Sequence, residues 1–367
     1  MRSLRRRPLD IAARQSADVL TSFQREAWTN IVFSLTRRCP LACEHCITNS
    51  LPSTAMPVLG SEEAGIWASQ LKALADRGLK HVTFTGGEPT LAFNALEVLA
   101  RSASEADLET ALVTAATWAN SDRQIHRTVD RLAPHIAMWD IGHDSFHAGR
   151  LELGRLAIAL DVLRQCGARV VIRFCKRADG TDRDYLEKVR GIAGKDIGVM
   201  VQPVHELGRA DAHMCEDNGS ALDVPCLSTG LFVREDGSTG PCCGGLGYAG
   251  RYSHPFAYGN VNETGLLHAW RKWRQDRLLR LQRLVGLRPL LAQLQRSDRL
   301  DPRALQGNHV CETCTHLWGD GGKEAETARR WGEESLTTAV LDGVETQLYG
   351  NVWQEDLSGD FADGVER

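Results

Sequence analysis

The sequence of 367 residues lacks any uninterrupted run of about 18 apolar residues, which excludes a helix that spans a membrane. It also lacks a basic excess: 43 lysines and arginines against 47 aspartates and glutamates give −4, so no overall field attracts nucleic acid or an anionic membrane. No apolar stretch follows the basic start MRSLRRRPLD, so it is not a secretory signal. An arginine-rich transit peptide stays open, although Asp10 and Asp18 count against it. We therefore expect a cytoplasmic protein with no nucleic-acid or membrane partner.

Cysteine, in contrast, is present in eleven copies. Cys39, Cys43 and Cys46 lie close together in sequence, and Cys311 and Cys314 form a second close pair. Such spacing is typical of metal binding in a reducing compartment and not of the disulfide framework of a secreted protein.

From about residue 30, short apolar runs alternate with helix-period segments, which is the pattern of βα units around a parallel sheet. Helices are predicted near 61–78, 91–100, 122–132, 151–165 and 182–193. The predicted strands are Ile31 to Leu35, His81 to Phe84, Ala111 to Thr114, Ile136 to Ile141, Val170 to Phe174 and Val199 to Val201. This α/β pattern predicts an open, partial (β/α)6 TIM-like barrel, in which chemistry gathers at the C-terminal ends of the strands.

The alternation ends near residue 210, where glycine and cysteine become dense in the segment PCCGGLGYAG. A helix near 266–284 and the second cysteine pair follow, which predicts a small domain whose thin core needs a metal. We therefore expect four parts: an N-terminal extension (1–29), the barrel (30–210), the small domain (211–320) and a C-terminal tail (321–367).

The cysteines of TRRCPLACEHCIT have the spacing C-x3-C-x2-C. A tight loop with this spacing can direct three thiolates at one cubane cluster and leave the fourth iron free to bind a substrate. A structural zinc site needs four protein donors, so a zinc knuckle that recruits His45 or a distant residue is the alternative.

A second motif, FTGGEPT, directly follows the second predicted strand. Gly86 and Gly87 let the backbone approach a ligand without obstruction by a Cβ, and Glu88 supplies a carboxylate. Because both motifs come at successive strand ends, together they favour an iron–sulfur enzyme that holds an amino group beside its cluster.

At these two motifs the chain resembles the radical SAM superfamily, over roughly residues 30 to 210. The resemblance implies that the cysteine triplet holds a [4Fe–4S] cluster whose free iron binds S-adenosylmethionine (SAM). It also implies that Gly86, Gly87 and Glu88 receive the methionyl amino group of SAM, and that His45 occupies the place of an aromatic residue near the adenine.

Three further residues are candidate SAM contacts. The family often places a polar residue after the fourth strand to bind the ribose or carboxylate, which suggests Asp144 and Ser145 in the segment IGHDSFH. The alternative is that either residue caps the next helix. Arg173 is a charge within the apolar strand VVIRF, where it could pair with the SAM carboxylate or form a structural ion pair.

A second cysteine group lies in the small domain. The turn at Asp236-Gly237 predicts a hairpin that brings Cys226 close to Cys242, and the later pair Cys311 and Cys314 completes four thiolates. Four donors suit zinc or a fully ligated iron–sulfur cluster. The pattern is similar to the twitch domain, the shorter relative of the SPASM domain, which implies one auxiliary [4Fe–4S] cluster. Cys243 is an alternative ligand to Cys242.

The resemblance implies a radical SAM oxidoreductase in which one electron cleaves SAM to a 5′-deoxyadenosyl radical that abstracts hydrogen from a substrate C–H bond. The electron would come from a donor such as flavodoxin or ferredoxin. The leading hypothesis is oxidation or cross-linking of a ribosomally made peptide in natural-product biosynthesis. The short segment before the barrel leaves no room for a separate leader-binding module, which favours the alternative of a small molecule such as a sugar or an aminocyclitol.

Epimerisation would need a thiol that donates hydrogen, and Cys175, just past the fifth strand, is the first candidate, followed by Cys215. Otherwise Cys175 and Cys166 are ordinary buried residues. The non-enzymatic alternative is a binding protein in which zinc holds the clustered cysteines together.

Overall fold

A computed structural model describes residues 17–211, 214–215, 226, 228–248, 254–296, 310–319 and 323–349. Its strands are β1 (Asn30–Ser34), β2 (His81–Thr85), β3 (Glu109–Thr114), β4 (Met138–Gly142), β5 (Arg169–Lys176), β6 (Gly198–Pro203), β7 (Leu231–Val233) and β8 (Thr239–Gly240). They form one sheet in the order β6-β5-β4-β3-β2-β1-β7-β8. Strands β1 to β6 run parallel, each paired with the next, which confirms the predicted open, partial barrel.

Helices occupy every connection between the first six strands, as right-handed βαβ units require. The helices of this part are α1 (Ala17–Trp28), α2 (Ser61–Ala68), α3 (Leu71–Ala75), α4 (Phe93–Glu105), α5 (Asp122–Leu132), α6 (Leu153–Gln165) and α7 (Arg183–Ala193). The later helices are α8 (Gly245–Tyr248), α9 (Val261–Thr264), α10 (Leu266–Gln275), α11 (Arg277–Val285), α12 (Arg288–Arg296), α13 (Val310–Trp318), α14 (Lys323–Glu333) and α15 (Ser335–Tyr349). Within the described residues, no helix is both long and apolar enough to cross a membrane.

The sheet continues past residue 210, where a new domain was expected. Strand β7 pairs in parallel with β1, with Ile31 opposite Leu231. The predicted hairpin is present, since β8 pairs antiparallel with β7 and Gly237 adopts a φ of 81° in the turn. The first strand of the C-terminal part is thus hydrogen-bonded to the barrel sheet.

Two helices that the periodicity predicts as continuous are interrupted. The helix expected over 61–78 divides at Ser69 and Gln70 into α2 and α3, because the Gln70 amide donates to the carbonyl of Trp67, three residues before it, in a tightened turn. The helix expected over 266–284 divides at Asp276, whose extended backbone ends α10 and whose carboxylate accepts from the Leu279 amide to cap α11.

Large aromatic side chains form the core between the sheet and the outer helices. Phe33 on β1 lies 5.8 Å from the ring of Trp67 on α2 and 6.2 Å from the ring of Phe84 on β2. Trp28 on α1 contacts Trp273 on α10 at 4.5 Å, so the first helix packs on the C-terminal part. All five side chains are fully buried, and each contributes about 2–3 kcal/mol of hydrophobic stabilisation.

Candidate active site

A cavity of about 750 Å³ follows the inner face of the barrel sheet. It extends from Asn30 and Glu109, at the beginnings of β1 and β3, to the loops that follow the strands. All three cysteines of the C-x3-C-x2-C motif line it. The cysteine motif found in the sequence therefore lies at this cavity.

The three cysteines lie on the loop between β1 and α2, which we call the cluster loop (residues 35–60). The Cys39 amide donates to the carbonyl of Leu51 at 3.0 Å, and the Cys46 amide donates to the carbonyl of Cys43 at 3.2 Å. The hydroxyl of Thr48 lies 3.3 Å from Cys46 Sγ. Burial raises the pKa of the Cys39 thiol to about 12, so a bound metal has to displace its proton to form the thiolate.

The glycine pair after β2 packs the two loops together. A Cβ on Gly86 would lie 2.5 Å from the carbonyl oxygen of Thr36, and one on Gly87 would lie 2.4 Å from that of Arg38. The Gly87 amide donates to Thr36 and the Glu88 amide donates to Arg38. Both glycines also line the cavity and contact the cluster loop, while their contact with the SAM amino group stays a prediction.

Glu88 is fully buried and is not among the residues that line the cavity. Its carboxylate accepts from the hydroxyls of Thr90 and Thr114 and from the amides of Thr90 and Ala115. Burial raises its pKa, while these four donors oppose that shift. In this arrangement Glu88 ties β2 to β3, and its contact with the SAM amino group stays a prediction.

Gly208 and Arg209, which follow β6, hold the opposite side of the cluster loop. A Cβ on Gly208 would lie 2.3 Å from the carbonyl oxygen of Cys46. The Arg209 guanidinium donates to the carbonyl of Cys43 at 2.9 and 3.1 Å and to that of Ser50 at 2.8 Å, while its amide donates to Cys46. The sequence around Arg209 does not predict that it holds the cluster loop, because the contact with Cys43 joins residues 166 positions apart.

Asp144 organises the turn after β4. It is fully buried, and its Oδ1 accepts from the Phe146 amide at 2.9 Å and lies 2.8 Å from His147 Nδ1. The next helix begins after Glu152, so Asp144 does not cap it. Ser145 accepts from Arg177 Nε at 3.1 Å. Direct contacts of Asp144 and Ser145 with SAM stay predictions.

His45 and His147 flank this carboxylate and line the cavity. His45 Nε2 lies 3.7 Å from Asp144, and its ring lies 4.3 Å from that of Phe146. Burial lowers the pKa of His45 to about 4, so its imidazole is neutral near pH 7 and suits a stacking role. Burial would also lower the pKa of His147, but hydrogen bonds to Asp144 and Cys43 raise it to about 10. The sequence pattern did not indicate a role for His147, although it lies three positions after Asp144.

Arg173 faces the cavity and is also ion-paired. Its guanidinium donates through Nε and Nη2 to the carboxylate of Asp140 on the neighbouring strand β4. The structural ion pair is therefore present, and a contact of Arg173 with the SAM carboxylate stays a prediction.

Two cysteines outside the triplet line the cavity, Cys175 at the end of β5 and Cys243. Gln202 Nε2 lies 3.2 Å from Cys175 Sγ, and burial raises the pKa of Cys175 to about 12. Cys166 is exposed at the end of α6, and Cys215 lies near the carbonyl of Asp211.

The four predicted auxiliary ligands converge beside the barrel. Burial is the main cause that raises the pKa values of the Cys242 and Cys314 thiols, and the Cys226 and Cys311 thiols lie close enough to raise both further. The Cys243 thiol also lies near Cys226, Cys242 and Cys311, and it faces the Arg173 guanidinium and the Thr229 hydroxyl in the cavity. Cys242 as the fourth auxiliary ligand, with Cys243 as the alternative, stays a prediction.

Within the described residues, neither cysteine group brings three thiols as close together as a zinc site does. A tetrahedral zinc with bonds of about 2.3 Å holds its sulfurs about 3.8 Å apart. Among the described residues, no three thiols lie within 4.8 Å of one another. The His, Cys, Asp and Glu ligand atoms that do come this close belong to His45, Asp144 and His147. Wider thiol spacing suits a cubane, whose ligands bind four separate irons.

The model of the radical SAM superfamily matches residues 33–178, from β1 through β5. The chain carries a radical SAM domain. The match includes the cluster loop and the glycine pair, and it confirms the resemblance seen in the sequence. The C-terminal cysteines fit the auxiliary domain of twitch and SPASM proteins.

Curated relatives of this chain include PqqA peptide cyclase of Rhodopseudomonas palustris, 32% identical over 136 residues. That match covers 36% of this chain and 35% of the cyclase. The putative peptide biosynthesis protein YydG of Bacillus subtilis is 18% identical over 306 residues, which are 80% of this chain and 93% of YydG. The chain thus matches about a third of the cyclase's length and almost all of YydG.

A solved structure of anSMEcpe with bound AdoMet is also similar. It has a TM-score of 0.48 and 12% sequence identity, and the alignment covers 89% of this chain and 97% of that one.

Proposed function

We propose that this protein is a radical SAM enzyme that modifies a peptide. The observation that carries the proposal is that the cysteine triplet and the glycine pair line one cavity. Both motifs also lie inside the segment that matches the superfamily. Cys39, Cys43 and Cys46 would hold a [4Fe–4S] cluster. With SAM bound, that cluster supplies a 5′-deoxyadenosyl radical that can take hydrogen from an unactivated C–H bond.

The chain's own residues position this chemistry. Arg209 and the glycine pair fix the cluster loop from its two sides through backbone contacts. His45 offers a neutral ring to the adenine, and Arg173 offers a cation to the SAM carboxylate or to the substrate. Fixed donors of this kind orient reactants without reorganisation during the reaction.

A peptide substrate is supported by the relatives, whose names refer to peptide cyclisation and peptide biosynthesis. The cavity volume of about 750 Å³ is that of a site for small ligands. We infer that SAM and one reacting residue fill it and that the rest of the peptide lies outside. A mass shift in a peptide encoded beside the gene, with none in free sugars or aminocyclitols, would support this substrate class; the reverse result would establish the small-molecule alternative.

The auxiliary thiols would hold a second [4Fe–4S] cluster, which suits an oxidation because it can accept the electron left on the substrate. After anaerobic reconstitution with iron and sulfide we expect about seven to eight irons per chain, the content of two cubanes. Cys39→Ala should lose about four irons and the release of 5′-deoxyadenosine from SAM. Cys311→Ala should lose a similar number and keep that release.

Cys166→Ala is the matched control, because this thiol is exposed at the end of α6 and does not line the cavity. It should change neither iron content nor SAM cleavage. Fewer than about four irons in the wild type, together with no 5′-deoxyadenosine, would refute the enzyme proposal and favour the zinc-binding alternative. Loss of SAM cleavage in a folded Cys311→Ala variant would refute the division between the two sites.

The two protonated thiols in the cavity favour epimerisation as a second candidate function. After hydrogen abstraction, Cys175 or Cys243 could donate the hydrogen of its S–H bond to the substrate carbon radical, forming a new C–H bond and a sulfur radical. A reductant of the flavodoxin or ferredoxin class would supply one electron, and solvent one proton, to restore the thiol.

The two functions give different products in D₂O, because a thiol exchanges its hydrogen with solvent. Epimerisation adds one deuterium and no net oxidation, and Cys175→Ser or Cys243→Ser abolishes that incorporation. Oxidation or cross-linking removes two hydrogens and adds no deuterium. The product mass therefore decides between them.

A further inference from the structure

Gln282 connects two of the proposed auxiliary ligands. It lies in α11 and is 2% exposed. Its side-chain Nε2 donates to Cys314 Sγ at 3.3 Å, and its backbone carbonyl accepts from the Cys226 amide at 3.4 Å. This glutamine is therefore in contact with two separate segments of the thiol group.

The orientation of the Gln282 amide is determined by a second hydrogen bond. Trp318 Nε1 lies 3.1 Å from Gln282 Oε1. An indole N–H can only donate, so the atom that it meets has to be the amide oxygen. The amide nitrogen then faces Cys314, which precedes Trp318 by one turn of α13. The N–H···S contact is thus fixed by chemistry as well as by distance.

We propose that Gln282 is a positioning residue that raises the reduction potential of the auxiliary cluster through its hydrogen bond to Cys314. This inference rests on the proposed auxiliary cluster. Reduction adds negative charge that is shared by the ligand sulfurs, and an N–H donor stabilises the more negative state more strongly. A higher potential makes the site a better acceptor for an electron from the substrate.

The test requires a protein in which the auxiliary cluster is the only expected one. The triple variant Cys39→Ala/Cys43→Ala/Cys46→Ala provides it. Iron and sulfide analysis after anaerobic reconstitution should give about four irons per chain. If this variant holds no iron, the proposed auxiliary cluster itself fails, and that outcome is distinct from a failure of the role of Gln282.

In this background, Gln282→Leu removes the N–H donor and keeps a side chain of similar size. An EPR-monitored redox titration should show a more negative midpoint potential. We expect at least the 59 mV that corresponds to a tenfold change in a one-electron equilibrium.

Gln24→Leu is the matched control. Gln24 is also a buried glutamine beside this site, but its Nε2 donates to the backbone carbonyls of Cys226 and Arg283 at 3.0 and 3.1 Å and not to sulfur. Its midpoint potential should stay close to that of the parent. Equal potentials in the Gln282→Leu and Gln24→Leu variants would overturn the proposal.

If the Gln282→Leu variant does not assemble a cluster, the midpoint potential of the Trp318→Phe variant provides the test. This change leaves Gln282 in place and frees its amide to rotate. A negative shift supports the proposal, and an unchanged potential with a full iron content overturns it.

Discussion

At the scale of single residues, the burial of Glu235 and its incomplete hydrogen bonding change how its carboxyl group binds a proton. This residue follows β7 and is 8% exposed, and its Oε2 makes no hydrogen bond within the described part of the chain. Burial raises its pKa to about 7, and Asp236 adds to the shift, whereas Arg37 and Arg234 oppose it. Between about pH 4.5 and pH 7 the folded protein therefore retains a proton that an ordinary glutamate has released.

We expect Glu235→Gln to stabilise the protein increasingly as the pH rises from about 4.5 to about 7. In that window the unfolded wild-type chain binds fewer protons than the folded one, so the free energy of unfolding falls by up to about 3 kcal/mol. Glutamine does not titrate, so the variant lacks this fall. Urea unfolding of both proteins across this pH range measures the difference. Glu105→Gln, at an exposed position in α4, should show no such trend, and a difference between wild type and Glu235→Gln that is independent of pH would contradict the prediction.

At the scale of structural elements, the candidate site depends on close contact between loops. The cluster loop lies between the turn after β2 and the segment after β6, and both contacts need glycine where backbone meets backbone. A cysteine triplet on an unsupported loop would have to be ordered by the cluster alone, at a cost of about 1–2 kcal/mol for each residue fixed.

Gly87→Ala should therefore weaken the cluster loop more than the rest of the fold. The new Cβ would meet the carbonyl oxygen of Arg38 at 2.4 Å, and backbone cannot move aside without displacing the loop. We expect a lower iron content at the cysteine triplet and slower release of 5′-deoxyadenosine, with the helical circular dichroism unchanged. Iron analysis of Gly87→Ala in a Cys311→Ala background measures the triplet alone.

Gly65→Ala is its control, because a Cβ there meets nothing within 4 Å and the position lies inside α2. It should keep full iron content and gain about 0.5–1 kcal/mol of stability. If Gly87→Ala also retained full iron content, the close contact would not matter for the site.

The local elements of the fold were predictable because they depend on local periodicity. All six barrel strands were expected, and β5 extends only to Arg169 and Lys176 beyond its predicted core. The interruption of the helix at Asp276 was missed because apolar periodicity continues through it, whereas the capping hydrogen bond from Leu279 depends on the backbone actually formed.

Long-range contacts were not predictable in the same way. The pairing of β7 with β1 joins residues about 200 positions apart, and no local pattern indicates it. For the candidate site, the cysteines and glycines followed from their spacing, but His147 and Arg209 gained roles only through partners that other segments supply. That Cys243 lines the cavity, and Cys242 does not, was likewise not predictable from their adjacent positions in the sequence.

At the scale of the whole molecule, the C-terminal helix α15 braces the helix that carries Gln282. Arg280 on α11 is 6% exposed and pairs with Glu345 on α15, which is 2% exposed. Arg280 Nη2 also lies 3.0 Å from Asp342. The segment expected only as a tail is thus attached to the auxiliary site through a buried ion pair.

Glu345→Ala should destabilise the protein by about 3–5 kcal/mol, because it leaves the Arg280 guanidinium buried without its main partner. The double variant Arg280→Met/Glu345→Leu should recover most of this loss, since an apolar pair of similar volume avoids the cost of burying two charges. Urea denaturation measures both effects, and limited proteolysis should cut α15 faster in the single variant only. Equal stability of wild type and Glu345→Ala would show that the ion pair does not hold α15 in place. If the single and double variants lost the same free energy of unfolding, the attachment of α15 would depend on the specific charges of Arg280 and Glu345. Packing by Met and Leu would then not replace them.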